Sequence, residues 1–459
     1  MPGPRHVIVI GAGLSGLACA HRLNQLGAEV TVLESADRAG GLLGTIRKDG
    51  FLFESGPQSF QTTEILLDLI RELGIESELQ KADSRAARYI LVHGRLQKIP
   101  TSPQALLSSS LLGPRSRWKI LSEPFRKTNP PATEESVGAF ARRKFGNEIL
   151  EYLVAPFVSG VYAGDPEKLS LKAAFPTLHE WETQYGSVLR GAKKARARRG
   201  PKEPESLCSF QQGVARLPDA LAAKLGENLQ TKTRVVSMNR LGPAGNESHE
   251  IRTESGGSSA TIQAAAIVLA TPAYVAAHLI ASISAQLGQM LSGIAYAPVA
   301  VVAAGYYQQQ VGELMNGFGF LVPRTEKLHT LGTVWNSSLF PSRAPRGSVT
   351  LTSFTGGATN PGIADAAEEE IAKIIQSENE HILKIIGSPV TSAVWKHPRA
   401  LPQYNLGHGH VVEEIRDMER KIPGIFFAGN YLEGPSVGKC VENGFQTANA
   451  VQAYLQAKA

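Results

Sequence analysis

Gly11-Ala12-Gly13-Leu14-Ser15-Gly16 is a run whose composition and spacing point to phosphate chemistry. It follows His6 to Ile10, a short strand pattern rich in β-branched residues, and opens a segment whose apolar positions Leu14, Leu17, Ala18, Leu23 and Leu26 lie on one helical face. Strand, glycine turn and helix in that order form a cradle for a dinucleotide. Gly11 allows the tight turn, Gly13 lets the backbone approach a pyrophosphate, Gly16 lets helix and strand pack closely, and the helix N-terminus faces the anion. A second strand, Glu29 to Leu33, stops at Glu34, where an acidic side chain would accept hydrogen bonds from a ribose.

The continuation says which dinucleotide. Arg38-Ala39-Gly40-Gly41 follows the acidic residue, and then Phe53-Glu54-Ser55-Gly56-Pro57. This resembles the amine oxidase-like FAD superfamily, where the glycine pair lets the backbone run along the pyrophosphate and isoalloxazine. At the far end Ile425-Phe426-Phe427-Ala428 reads as a strand stopping at Gly429-Asn430; Gly434-Pro435-Ser436-Val437 and a helix from about Lys439 to Leu455 come next. The layout is similar to the superfamily's C-terminal FAD motif. Thr233 to Val236 reads as a strand where the superfamily contacts adenine through backbone, with Val235 the candidate, and Ala266 to Thr271 as a buried strand before Pro272. The resemblance thus implies FAD held by Gly11, Gly13, Leu14, Ser15, Gly16, Glu34, Ser35, Arg38, Gly40, Gly41, Gly56, Pro57, Val235, Gly429 and Val437. Some flavin oxidases attach FAD through a cysteine near the C-terminus, but Cys440 reads as a small packing residue, so non-covalent FAD is expected.

Four further stretches resemble the protoporphyrinogen oxidase family: Pro156 to Asp165, Ser209-Phe210-Gln211-Gln212-Gly213, Leu401 to His408, and Ser436-Val437 through Cys440 to Gly444. Pro435 and Asn443 depart from the family's usual Val and Ser. The resemblance implies oxygen-dependent oxidation of protoporphyrinogen IX to protoporphyrin IX, six electrons leaving in three rounds through flavin N5 with release of hydrogen peroxide. It implies no catalytic protein side chain and no metal. Arg88, at the head of a strand, matches the family's substrate-carboxylate arginine, and a guanidinium can hold a propionate bidentately. Gly160, which with Gly164 brackets an aromatic turn, would let a flat macrocycle approach backbone. Leu321, Val334 and Phe354, from three consecutive strand-like stretches, line the cavity by the family alignment. His408 reads as structural, since neither it nor His410 has acidic ligands at metal spacing. Rival readings are a coproporphyrinogen III oxidase, a polyene desaturase or amine oxidase on the same scaffold, and a non-enzymatic FAD-containing sensor.

These residues are spread over 459 positions, so several chain segments must converge. The expected fold is α/β, α+β overall: a discontinuous doubly wound FAD-binding domain (1–75, 205–283, 409–459), an antiparallel-sheet substrate domain (76–91, 284–408) and a helical membrane-binding domain (92–204). With 42% hydrophobic and 19% charged residues the chain has globular composition, and Cys19, Cys208 and Cys440 show neither CxxC nor paired spacing, against a disulfide framework or zinc site. No apolar run is long enough to span a bilayer, and the N-terminus lacks a signal-peptide pattern. Pro103 to Lys127 interleaves Leu106, Leu107, Leu111, Leu112, Trp118, Ile120, Leu121 and Phe125 with basic residues, while Arg190 to Lys202 carries seven basic residues and no acid. The first stretch suits a surface on anionic lipid; the second reads equally as a solvated loop. The net charge of +6 does not indicate nucleic acid, because no aromatic residues interleave with the basic run. A cytoplasmic protein peripherally associated with a membrane is expected, and the resemblance allows a homodimer and handover of product to ferrochelatase or another chelatase.

Overall fold

The computed structural model describes residues 6–100, 105, 108, 109, 111–126, 130–198, 206–241, 248–313 and 315–458. Its centre is a five-stranded parallel sheet in the order Leu229–Gln230, Glu29–Leu33, His6–Ile10, Ala266–Leu269, Ile425–Phe427. His6–Ile10 and Ala266–Leu269 are buried along their whole length, as strands covered on both faces must be. One face is covered by the helices Leu14–Gln25 and Val437–Ala457, which pack so closely that a Cβ on Gly444 would lie 2.5 Å from the Ser15 carbonyl oxygen. The other face packs against Ala273–Ile280 and Ala285–Ser292. Strand order reverses around His6–Ile10, which places the switch point, and hence the ligand crevice, at Gly11.

Two boundaries differ from the sequence reading. The last helix starts at Val437 rather than near Lys439, because the Ser436 hydroxyl caps it by accepting from the Lys439 amide at 3.3 Å. The strand after Thr233 runs to Leu241 and belongs to a separate three-stranded antiparallel sheet with Ser248–Ser255 and Ser258–Ala264.

The second sheet has seven strands, in the order Thr391–Pro402, Tyr296–Tyr307, Ser348–Gly356, Thr330–Trp335, Gly319–Leu321, Arg88–Val92, Arg95–Lys98. It is antiparallel at every junction except Gly319–Leu321 with Arg88–Val92, whose strands come from distant parts of the chain and need no hairpin. Arg95–Lys98 lies within 92–204 yet is the edge strand of this sheet, not helical.

The rest of the described 92–204 stretch is mainly helical: Pro114–Ser122, Val137–Lys144, Ala155–Tyr162, Pro176–Tyr185 and Val188–Arg198. The last of these shows that the described part of the basic run, which the sequence left open between a loop and a surface element, is helical; Gly191 seats it on Trp181, where a Cβ would meet that side chain at 2.3 Å. A buried charge cluster ties the helices together. Lys144 Nζ lies 2.9 Å from Glu182 Oε1 and 3.4 Å from Glu123 Oε1, and Glu123 accepts from the Val188 amide at 2.9 Å and the Ser187 hydroxyl at 2.6 Å. Pro103, Leu106, Leu107, Lys127, Arg199 and Lys202 lie outside the described residues. Among the described residues no helix is long and apolar enough to cross a membrane.

Candidate active site

At the carboxyl end of the parallel sheet lies a cavity of about 690 Å³. Gly11, Gly13, Leu14, Ser15, Glu34, Ser35, Gly40, Gly41, Pro57, Val235, Gly429 and Val437 line it, so most of the expected cofactor set converges on one space from across the chain. Gly16, Arg38 and Gly56 do not line it; they shape its walls. A Cβ on Gly16 would sit 2.1 Å from the Gly11 carbonyl oxygen, and one on Gly56 2.4 Å from that of Leu42. Arg38 donates to the carbonyls of Ala39, Gly41 and Leu43 at 3.1, 2.9 and 3.0 Å, holding the glycine loop in shape.

The cavity fits FAD on two observations. Gly13 is the N-cap of the first helix, no side chain caps it, and a Cβ there would meet nothing within 4 Å. An open, uncapped helix N-terminus is an anion site. Glu34 accepts from the amides of Ala12 and Ala36, each at 2.8 Å, which orients the carboxylate beside the cavity and leaves it lone pairs for hydroxyl donors.

Sequence reasoning missed several lining residues. Tyr274 and Tyr296 meet edge to face at 5.2 Å, the Tyr296 hydroxyl accepts from the Ala273 amide at 2.9 Å, and Arg399 lies 4.5 Å over the Tyr274 ring. His278 and Leu279 complete that side. The pattern Tyr274, Val275, His278 at helical spacing after Pro272 is the signal that could have found them. Cys440 also lines the cavity, and burial pushes its thiol up to about 11, leaving little thiolate for covalent chemistry.

None of Arg88, Gly160, Leu321, Val334 and Phe354 lines this cavity. Strand register instead gathers four of them on one face of the seven-stranded sheet. Gly319 pairs with Arg88 and Val334, Leu321 with Gly332, and Gly332 with Phe354, so Arg88, Leu321, Val334 and Phe354 point to the same side. The helical unit covers that side. Ile90 packs with Leu112, Ile120 and Ile149, and Ala163 clusters with Val299, Val301 and Phe354. Gly160 sits over Leu321, whose Cδ2 would be 2.8 Å from a Cβ on the glycine. The chain does turn between Gly160 and Gly164, at Ala163 with φ 47°, but Gly160 itself lies in the helix Ala155–Tyr162 and not in the turn. Phe157, Gly160 and Val161 are exposed on one face of this helix. Ala400 and Leu401, which line the cavity, pack in the same cluster as Phe354, so the two regions adjoin.

Arg88 is exposed, stacks at 5.2 Å on Phe318, and has no carboxylate partner among the described residues. His408 is structural in its contacts: Nε2 donates to the Tyr431 carbonyl at 2.9 Å, the ring stacks on Tyr404 at 4.3 Å, and burial holds the imidazole pKa down at about 4. Cys19 and Cys208 are buried packing residues.

The family model described as flavin containing amine oxidoreductase matches residues 14–452. The chain is 34% identical over 472 residues to a chloroplastic protoporphyrinogen oxidase of Nicotiana tabacum, spanning 98% of this chain and 85% of that one. It is 26% identical over 475 residues to the coproporphyrinogen III oxidase of Bacillus subtilis (strain 168), spanning 99% of each. A solved structure from Exiguobacterium sp. 255-15, provisionally named a protoporphyrinogen oxidase, superimposes with a TM-score of 0.84 at 23% identity, covering 99% of this chain and 100% of that one. Cyclohexylamine oxidase from Brevibacterium oxydans IH-35A shares the fold at a TM-score of 0.70 and 19% identity, covering 98% and 99%.

Proposed function

The chain belongs to the flavin-containing amine oxidoreductase family, with FAD as its cofactor, and from that premise we propose that it oxidises protoporphyrinogen IX to protoporphyrin IX at the expense of oxygen. The macrocycle loses six hydrogens in three two-electron rounds, and three oxygen molecules become three hydrogen peroxides. When bound, FAD supplies the electron acceptor for each round and hands the electrons to oxygen.

The observation that carries the proposal is the sheet face beside the cavity. It presents aliphatic and aromatic side chains, Leu321, Val334 and Phe354, under a helix that exposes Phe157, Gly160 and Val161, with Arg88 exposed at the strand head and without a carboxylate partner among the described residues. A flat apolar ring with peripheral carboxylates matches that chemistry. The chain's own work is to orient the macrocycle between these surfaces and to fix a propionate on Arg88. Within this reading residues 1–75, 205–283 and 409–459 hold FAD non-covalently, 76–91 and 284–408 the substrate, and 92–204 the membrane, with Arg95–Lys98 transferred to the substrate sheet. The coproporphyrinogen alternative is supported by the Bacillus relative.

Membrane association is part of the same proposal. Trp118, Leu121 and Phe125 are 65%, 54% and 82% exposed at spacings of three and four residues, with Arg115 exposed among them. Glu123, within this segment, binds the N-terminus of the basic helix Val188–Arg198, so the apolar row and the exposed Lys193, Lys194 and Arg196 belong to neighbouring elements. Apolar anchors beside cations suit an anionic bilayer surface.

Flavin reduction followed in the absence of air, with protoporphyrinogen and coproporphyrinogen in turn, tests the substrate. Arg88→Ala should lower kcat/KM by about 1.5–3 kcal/mol, the scale of a charge-assisted hydrogen bond, with flavin content intact. Arg88→Lys should recover only part, because it lacks the planar fork. Unchanged kinetics for Arg88→Ala would remove the arginine from the site.

A further inference from the structure

The Glu54 to Gln58 segment carries Pro57 into the cavity wall and is held by three residues of the seven-stranded sheet and the connections between its strands. Arg343, between the strands Thr330–Trp335 and Ser348–Gly356, pairs with Glu54 at 2.8 Å, both side chains fully buried. The same Glu54 carboxylate accepts from the Val214 amide at 3.0 Å and from the Thr45 hydroxyl. His397, on the strand Thr391–Pro402, places Nε2 2.7 Å from the Ser55 carbonyl oxygen; a carbonyl can only accept, so Nε2 carries the hydrogen. Asn336, at the end of the strand that carries Val334, donates from Nδ2 to Gln58 Oε1 at 2.7 Å.

The polarity of the Asn336 contact is dictated. Gln58 Nε2 donates to the carbonyls of Gly56 at 2.6 Å and Glu54 at 3.4 Å, so its amide cannot turn over without setting oxygen against oxygen. Only Oε1 is left to face Asn336, which must therefore present a donor. Asn336 and Gln58 are 2% and 6% exposed, so water does not replace a lost bond cheaply.

We propose that Asn336 and His397 are positioning residues, fixing the Ser55–Gln58 turn so that the flavin wall and the substrate face of the sheet keep one relative geometry. The proposal rests on FAD filling the cavity and on the sheet seating the substrate. Neither side chain lines the cavity; both hold the segment that carries Pro57, which does. The arrangement fits chemistry in which a macrocycle held by one unit must present a carbon to a ring held by another, where small misplacements are costly.

Asn336→Asp is close to isosteric but replaces the required donor with oxygen. The purified variant should keep its FAD content. The visible circular dichroism of its bound flavin should change, and the rate of flavin reduction should fall on the order of tenfold while KM for the tetrapyrrole stays within about twofold. His397→Leu should do the same, and His397→Gln, which can still donate, should restore most of the loss. Should Asn336→Asp fail to fold, the half-buried His397 pair decides. Unchanged flavin dichroism and unchanged reduction rate in both Asn336→Asp and His397→Leu would overturn the proposal, as would a loss confined to melting temperature. The dichroism does not depend on substrate, so it reports on the clamp even if the tetrapyrrole assignment fails.

Discussion

Two glycines of the same motif, Gly13 before the first helix and Gly16 within it, should respond to substitution in opposite ways. At Gly13 the backbone has φ −67° and ψ 172°, open to any L-residue, and a Cβ meets no atom within 4 Å. Gly13→Val therefore costs the apoprotein no more than about 1 kcal/mol, a slightly poorer N-cap offset by a less flexible unfolded chain. The open space is where the pyrophosphate must approach, so FAD affinity should fall at least about tenfold, or about 1.4 kcal/mol. At Gly16 a Cβ would lie 2.1 Å from the Gly11 carbonyl oxygen and 3.0 Å from Ala270 Cβ, so the helix would have to retreat by roughly 1 Å from two central strands. Overpacking of that kind costs about 1–3 kcal/mol before any ligand is added. Thermal unfolding of apo and FAD-loaded protein, with FAD titrations, separates the two effects. Gly13→Val should melt like wild type without FAD and gain less from it; Gly16→Ala should already melt lower. A Gly13→Val protein that binds FAD normally would refute the placement of the pyrophosphate.

Two further outcomes follow from buried and exposed side chains. Burial holds the His408 imidazole down at about 4 against an ordinary 6.5, so between those values the unfolded chain takes up a proton that the folded one refuses. His408 should thus weaken the fold as pH drops from about 6.5 toward about 4, by about 3 kcal/mol in full; denaturant unfolding across this range should show a shallower decline in His408→Gln, and parallel profiles would exclude the residue. Replacing Trp118 and Phe125 together by Ser should reduce binding to vesicles containing anionic lipid by about tenfold or more, from the apolar surface no longer buried, without loss of activity on dispersed substrate. If neutral vesicles bind wild type equally well in low salt, the basic helix plays no part.

What could be read in advance was what short segments state on their own. A strand of β-branched residues, a glycine turn and an apolar helical stripe specify the His6–Gln25 unit locally, because turn geometry, helix spacing and phosphate approach all draw on neighbouring residues. The seating of Gly160 in a helix was missed although Val158, Ser159 and Tyr162 are buried at helical spacing and Pro156 opens the helix, since glycines in an aromatic run suggest a turn equally well. The basic run stayed open between a loop and a surface element for a related reason: its helix is secured at one end by Glu123, more than sixty residues upstream, and no signal inside the run reports that cap.

The substrate face shows the same division more sharply. That Leu321, Val334 and Phe354 are strand residues is a local property, and each alternates with neighbours on the opposite side. That they share a face with Arg88 depends on pairing across four strands, including the parallel junction between Gly319–Leu321 and Arg88–Val92, and a slip of one residue there would turn Arg88 away from the other three. Asn336 and His397 lie further still from any local signal, since their partners Gln58 and Ser55 are 278 and 342 residues away. Their value to the site would come from that distance: a contact between remote segments constrains how two separately folded units meet, which no residue inside either unit can do.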